Sequence, residues 1–378
     1  MRITLLAALI VSILAGCSEP ATDTSTMAPQ NSATPKTPTA PVTPTTQDNP
    51  FLKASTLGFQ APHFDLIKDQ HYLPAFEEGM QQHRAEIDTI AASTQPATVA
   101  NTIEAMERSG ALLYRVSKVF FNLTESNTND AIQKVQAEVA PKLAQHQDSI
   151  YLDPKLYARI KSIYDTRASL GLDAETLRLV ERYQQNFVRG GATLGDEQKT
   201  RLRELNERLS SQQTLFQENL LKDTNASALI VDTAAELDGM SPGDIAAAAE
   251  AAKERGLTGK WVIALQLPSG QPALTNLSNR SVRERLYQAS VERGNRGNSE
   301  DNNALAVEIA TLRAERAALL GFPNHAAYTL DAQMAKTPEA AMKMLTGLVP
   351  AAVANAKAEA AKMQALIDAD QGAFELAA

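Results

Sequence analysis

The side chains in this 378-residue chain best able to hold a metal or attack a carbonyl are five histidines and a single cysteine. A zinc hydrolase most economically presents two imidazoles at i and i+4 of a helix, with a glutamate beside the first to deprotonate the metal-bound water. His63, His71, His83, His146 and His325 do not do this: no two are four residues apart and none is followed by Glu. They are expected at the surface or in helix packing. The chain is read as having no Gly-x-Ser-x-Gly nucleophile elbow. Gly190 and Gly195 have the spacing of a phosphate loop, but Asp196 stands where the phosphate-binding lysine is needed. That stretch is expected to be an inter-helix loop. The pairs Glu77–Glu78 and Asp368–Asp370 receive no catalytic role, Arg293–Gly297 reads as a turn, and Met334, Met342 and Met344 read as packing residues.

Cys17 is the one position with a chemistry of its own. Arg2 and the apolar run Ile3–Ile13 precede Leu14, Ala15, Gly16 and Cys17, and about eleven apolar residues are too few for a bilayer span of about 20. The pattern resembles a lipoprotein signal. It predicts cleavage before Cys17, lipidation of its thiol, attachment to a membrane through that N-terminal lipid, and a cell-envelope location at the outer membrane facing the periplasm. Acylation would also exclude Cys17 as a catalytic nucleophile.

The elements that must position any site are mainly helical. Residues 18–50 are rich in Thr, Pro, Ser and Ala with almost no large apolar side chain, and are expected to form a disordered tether. From Phe51 onward the apolar residues recur at helical spacing. Val99, Ile103, Met106, Leu113, Val116 and Phe120 form one stripe, and Leu202, Leu205, Leu209, Phe216 and Leu220 form a second, with Asp196 as its N-cap. Ser241, Pro242 and Asp244 open a helix that Gly256 ends. Leu305, Ile309, Leu312 and Leu319 run to Gly321, and Thr337 with Pro338 starts another helix. Ala228–Asp232 and Lys260–Leu267 read as a small strand pair inserted in this body, the second ending in a turn at Pro268, Ser269 and Gly270. The net charge of -8 argues against a nucleic-acid partner.

Particular blocks resemble a known family. Phe64, Asp65, Ile67, His71, Tyr72, Pro74, Ala75 and Phe76 are followed by Val119–Leu123, by Glu138–Leu143 and by Glu181, Arg182, Tyr183, Phe187 and Gly190. Leu205, Asn206, Leu209, Ser210, Phe216 and Asn219 continue the series. Trp261, Val262, Leu265, Gln271 and Pro272 come next, then Arg313, Ala317, Leu320, Gly321, Tyr328, Met334, Ala335 and Lys336. In this order they resemble the thimet-oligopeptidase family of zinc metallopeptidases, which includes oligopeptidase A and the bacterial dipeptidyl carboxypeptidases. The resemblance implies residues 51–378 as the N-terminal part of a multi-helix half-channel around short peptides. It also implies zinc, peptidyl-dipeptidase activity, and a catalytic part carrying His-Glu-x-x-His that would lie beyond Ala378. The helical reading of Met363–Ala378, without a capping glycine, supports that expectation. The chain alone is expected to be inactive, with no catalytic or metal residue of its own. A non-catalytic helical lipoprotein that binds peptides or an envelope partner is the alternative.

Overall fold

A computed structural model describes residues 49–266, 270–370, 372 and 374–376. Cys17 and nearly all of the expected tether lie outside the described residues. The chain divides into two compact units that meet in sequence between Val119 and Phe120.

The first unit begins with Asn49, whose carboxamide accepts from Phe51 N–H (3.1 Å) and donates to the His71 carbonyl (2.7 Å). That tie brings the buried Phe51 ring to 5.4 Å from Tyr72, the first residue of α1 (Tyr72–Ala91). The stripe expected over 99–120 is not one helix. It is a π-helical turn at Val99–Ile103, then α2 (Glu104–Arg108), then α3 (Ala111–Ser126). Gly110 makes the break: its φ of +70° suits glycine, and its N–H donates to Glu86 on α1 at 2.7 Å. The apolar spacing survives the break, since Ile103, Leu113 and Val116 are all buried. Gly79 lets the α1 and α3 backbones approach closely, since a Cβ there would sit 2.9 Å from the Leu113 Cα.

In the second unit, α4 (Asp130–Tyr151), α5 (Pro154–Thr166) and α6 (Ala174–Arg189) are each opened by a side-chain cap. Asn129 accepts from Ile132 N–H, Asp153 from Lys155 and Leu156 N–H, and Asp173 from Thr176 N–H. The long α7 (Asp196–Ala226) packs against α4 on one side and α11 (Asn303–Leu319) on another. Leu205 and Leu209 meet Ile309 and Leu312 there. Its N-cap is Gly195, not Asp196, which is the first helical residue. Leu220, expected on the apolar stripe, is exposed because the stripe drifts off the core near the end of α7.

The strand insertion is present. β1 (Leu229–Val231) pairs antiparallel with β2 (Trp261–Ile263), with Leu229 opposite Ile263 and Val231 opposite Trp261. Between them α8 (Pro242–Glu254) starts at Ser241, whose hydroxyl accepts from Asp244 N–H, and ends before Gly256 at φ +74°. α9 (Gly270–Asn276) and α10 (Arg280–Val291) complete this layer, and Ala273, Leu277, Val282 and Leu286 close over Leu229, Val231 and Ile263. Gly270 therefore starts a helix, while Pro268 and Ser269 lie outside the described residues.

Beyond α11 come α12 (His325–Leu330) and α13 (Pro338–Ala369), the latter capped by Thr337 as expected. α13 buries none of its residues. Met334, Met342 and Met344 are exposed at 100%, 54% and 65%, so they do not pack in a core. The terminal helix also ends earlier than its composition suggests. After Ala369 the Gln364 carboxamide turns the chain back, donating to the Phe374 carbonyl and accepting from Leu376 N–H.

Gly239 is the tightest backbone crossing in the strand layer. Its φ is +93°, and the Asn276 carbonyl oxygen occupies the space a Cβ would need. Gly239→Ala is expected to cost roughly 2–3 kcal/mol in denaturant unfolding, because strain and a backbone clash add. Gly256→Ala, also at positive φ but with nothing within 4 Å of the added carbon, is expected to cost less.

Candidate functional site

An arrangement of charged and aromatic side chains in the second unit lies where α6, α7, α11 and α12 converge. Arg189, on the last turn of α6, donates through Nη1 to Asp331 Oδ2 (2.7 Å) and through Nη2 to the Tyr328 carbonyl (2.6 Å). Its guanidinium also lies 4.5 Å from the Tyr328 ring centre, a cation–π distance. Phe322 meets the same ring edge-on at 5.3 Å. Arg316 of α11 approaches Tyr328 at 5.5 Å, so two guanidinium groups share one aromatic ring.

Arg316 extends the network inward. Its Nη1 donates to Asn206 Oδ1 (3.2 Å) on α7, and Asn206 Nδ2 donates to Asp148 Oδ1 (2.8 Å) on α4. The second Asp148 oxygen and Arg316 Nε have no hydrogen-bond partner. Asp148 is 6% exposed, and burial pushes its carboxyl up to about 6 against the opposing pull of Asn206, Arg203 and Arg316. Burial likewise lowers the Arg316 guanidinium. The direction for Asp148 decides its energetics: desolvation outweighs pairing, so this carboxylate is held ionised at a cost.

The histidines are not brought together. His83 Nε2 lies 3.2 Å from Ser109 Oγ, but that hydroxyl already donates to the Met106 carbonyl (2.7 Å). The imidazole must therefore be the donor, which is the opposite of a base activating a nucleophile. Burial, with Arg84 second, lowers the His83 pKa. His71 Nδ1 accepts from Lys68 N–H, His63 lies 3.8 Å from Asp65, and His146 lies within α4. His325 has a buried, unpartnered Nδ1, yet its charged neighbours are Arg313 and Arg316. Zinc needs several imidazoles, thiolates or carboxylates converging on one point. Among the described residues no group of three or more His, Cys, Asp or Glu could hold a metal. The described residues do not fit zinc.

The sequence also holds a pattern that the residue-by-residue reading missed. Gly239, Met240, Ser241, Pro242 and Gly243 have the Gly-x-Ser-x-Gly spacing of a nucleophile elbow. The structure gives Ser241 a different task, since its hydroxyl caps α8 and donates to Asp244 Oδ2 at 2.7 Å. The turn at Arg293–Gly297 is as read but firmly held. Asp223 accepts from Gly294 N–H (2.9 Å) and Arg296 Nε (3.0 Å).

What these residues do is hold helices in place. The described residues form a helical body with one short strand pair and a buried polar network. A profile described as peptidase family M3 matches residues 273–378. The dipeptidyl carboxypeptidase of Escherichia coli is 45% identical over 326 residues, covering 86% of this chain and 48% of that protein. Oligopeptidase A of Salmonella typhimurium is 27% identical over 335 residues, covering 87% of this chain and 48% of its own length. The chain belongs to the thimet-oligopeptidase family, M3, as the blocks from Phe64 to Lys336 suggested. It spans about half the length of the curated relatives it matches.

These relatives also correct one expectation. They bear the names of peptidases, and one, from Arabidopsis thaliana, is named "Probable cytosolic oligopeptidase A". None is named as a lipoprotein, and among the described residues no helix is long and apolar enough to cross a membrane. The lipid-anchored, outer-membrane location inferred from the run ending at Cys17 is withdrawn. A short apolar run before a cysteine is a local pattern, and the rest of the chain resembles proteins whose names carry no such address.

Asp148 supplies a test of the buried network. Its carboxyl is raised from an ordinary 3.8 to about 6, so folding favours the protonated form. Below 3.8 both folded and unfolded states hold the proton and there is no cost. The cost builds between 3.8 and 6 and is complete above 6. The stability of the wild type relative to Asp148→Asn is expected to fall by about 2 kcal/mol from pH 4 to pH 7.5. A difference that does not change with pH in chemical denaturation would contradict the assignment.

Proposed function

We propose that this chain forms the peptide-enclosing, positioning part of a metallopeptidase that acts on short peptides and releases C-terminal dipeptides. The observation that carries the reading is the 45% identity to the Escherichia coli dipeptidyl carboxypeptidase, sustained across 86% of this chain. It is supported by the helix-positioning contacts among the described residues. Zinc is the family's metal, and when bound it activates water and polarises the peptide carbonyl. Residues of this chain would fix the helices that enclose the peptide. Arg189, Arg316 and Asn206 do so by tying α4, α6, α7, α11 and α12 together.

Two measurements test the reading. The purified 378-residue chain, supplied with zinc, is expected to release no dipeptide from a short blocked peptide. Release that a chelator abolishes would overturn this expectation. A chimaera in which residues of this chain replace the matching region of the Escherichia coli enzyme is expected to release C-terminal dipeptides within about tenfold of the parent rate, a loss of about 1.4 kcal/mol. A folded, zinc-loaded chimaera that cleaves nothing would contradict the family function proposed here.

A further inference from the structure

α13 is fastened near its ends and bare between them. Thr337 caps its start, where the hydroxyl accepts from Ala340 N–H. Near its end Gln364 holds the returning tail, and the Phe374 ring of that tail lies 4.3 Å from the Arg280 guanidinium on α10. Every residue from Met342 to Glu359 is exposed, 18 in succession and about 27 Å of helix. Water is the wrong neighbour for them. Met344 to Ala356 carries no charge, and the Thr346 hydroxyl is turned back onto the Met342 carbonyl at 2.7 Å. Met342, Met344, Leu345, Leu348, Val349 and Val353 are each between 45% and 65% exposed. At about 100° per residue they spread over an arc of about 180°, wider than the stripe of about 100° with which a surface helix meets one core.

The same stretch is weak as a free-standing helix. Gly347 and Pro350 lie inside it, the two residue types least suited to a helix interior, and Thr346, Val349 and Val353 are β-branched. Packing from outside has to hold it. Three kinds of surface could supply that packing, and size separates them. A bilayer span takes about 20 apolar residues, more than the uncharged run from Met344 to Ala356 provides. A second copy of α13 laid along this one would cover a strip about 10 Å wide, on the order of 400 Å² from each copy, about half of what a stable interface takes from each partner. It would also leave much of the arc in water. A folded body with several elements covers the whole arc. The family provides one: this chain matches only 48% of the Escherichia coli dipeptidyl carboxypeptidase, and the M3 profile takes in α13 itself.

We propose that the apolar arc of α13, from Met342 to Val353, is the docking surface for the part of the M3 enzyme that this chain does not match. The inference rests on the reading of the chain as one part of such a peptidase, and adds which helix joins the two parts. The contact is apolar, and neither zinc nor peptide takes part in it.

Amide hydrogen exchange on the full chain and on the chimaera with the Escherichia coli enzyme tests this. In the full chain, residues 346–359 are expected to exchange fast at every protein concentration. In the chimaera their protection is expected to rise about tenfold or more. Val349→Lys is expected to leave exchange and melting of the full chain unchanged, because the side chain is exposed there, and in the chimaera to remove the gained protection while 202–209 stays protected. Where that chimaera does not fold, Leu345→Ala serves instead, with protection over 346–359 expected to fall about tenfold. Equal exchange over 346–359 in chain and chimaera would overturn the proposal, and so would protection in the full chain that grows with concentration, the mark of a second copy. A chimaera that cleaves while 346–359 stays unprotected sinks the docking surface and leaves the peptidase reading standing. A protected 346–359 in a chimaera that cleaves nothing does the reverse.

Discussion

The second unit depends on how α7 is gripped. A 31-residue helix cannot keep its place through propensity alone. α11 packs on its apolar residues Leu205 and Leu209, α4 lies along it, and Asn206 spans from Asp148 to Arg316. Apolar contact supplies most of the attraction but little register. The Asn206 bridge supplies register, because both ends of its carboxamide are used and each demands a different partner. Arg316 passes the constraint to Tyr328, and Arg189 fastens α12 from the other side. The arrangement carries a cost, since Asp148 and Arg316 are both desolvated with polar atoms left unpartnered.

Much of this fold was legible because local rules dominate it. Ser241 and Thr337 announced helix starts, Gly256 and Gly321 announced ends, and the β-branched runs at 229–231 and 261–263 announced the strand pair. The failures have physical causes. The stripe from Val99 to Phe120 kept its apolar spacing across a break that depends on Glu86 receiving the Gly110 N–H, a contact 24 residues away. Asp196 is as good a capping residue as any, but the chain enters α7 one residue earlier. The three methionines near the start of α13 look like core residues by type, yet burial is a property of neighbours, and this helix has few.

The positioning network was less legible than the elements it joins. Asn206 and Tyr328 were noticed as parts of a familiar order of residues, but nothing in spacing could reveal that Arg189 reaches a partner 142 positions later. The histidines mark the reverse limit. They are scattered in sequence, and among the described residues no group of three or more His, Cys, Asp or Glu could hold a metal. Family membership and local geometry therefore divide the labour. Relatedness names the family, and the residues present explain how its helical frame is held.

The central claim is that Arg189 and its partners fix α12, and through it the start of α13, without sustaining the α4–α7–α11 core. Amide hydrogen exchange on the full chain carrying Arg189→Ala tests this most directly. Protection is expected to fall about tenfold or more over 325–345, equivalent to about 1.4 kcal/mol of local opening, while 202–209 and 309–317 exchange as in the wild type. Unchanged protection over 325–345, or an equal loss throughout the second unit, would contradict the claim.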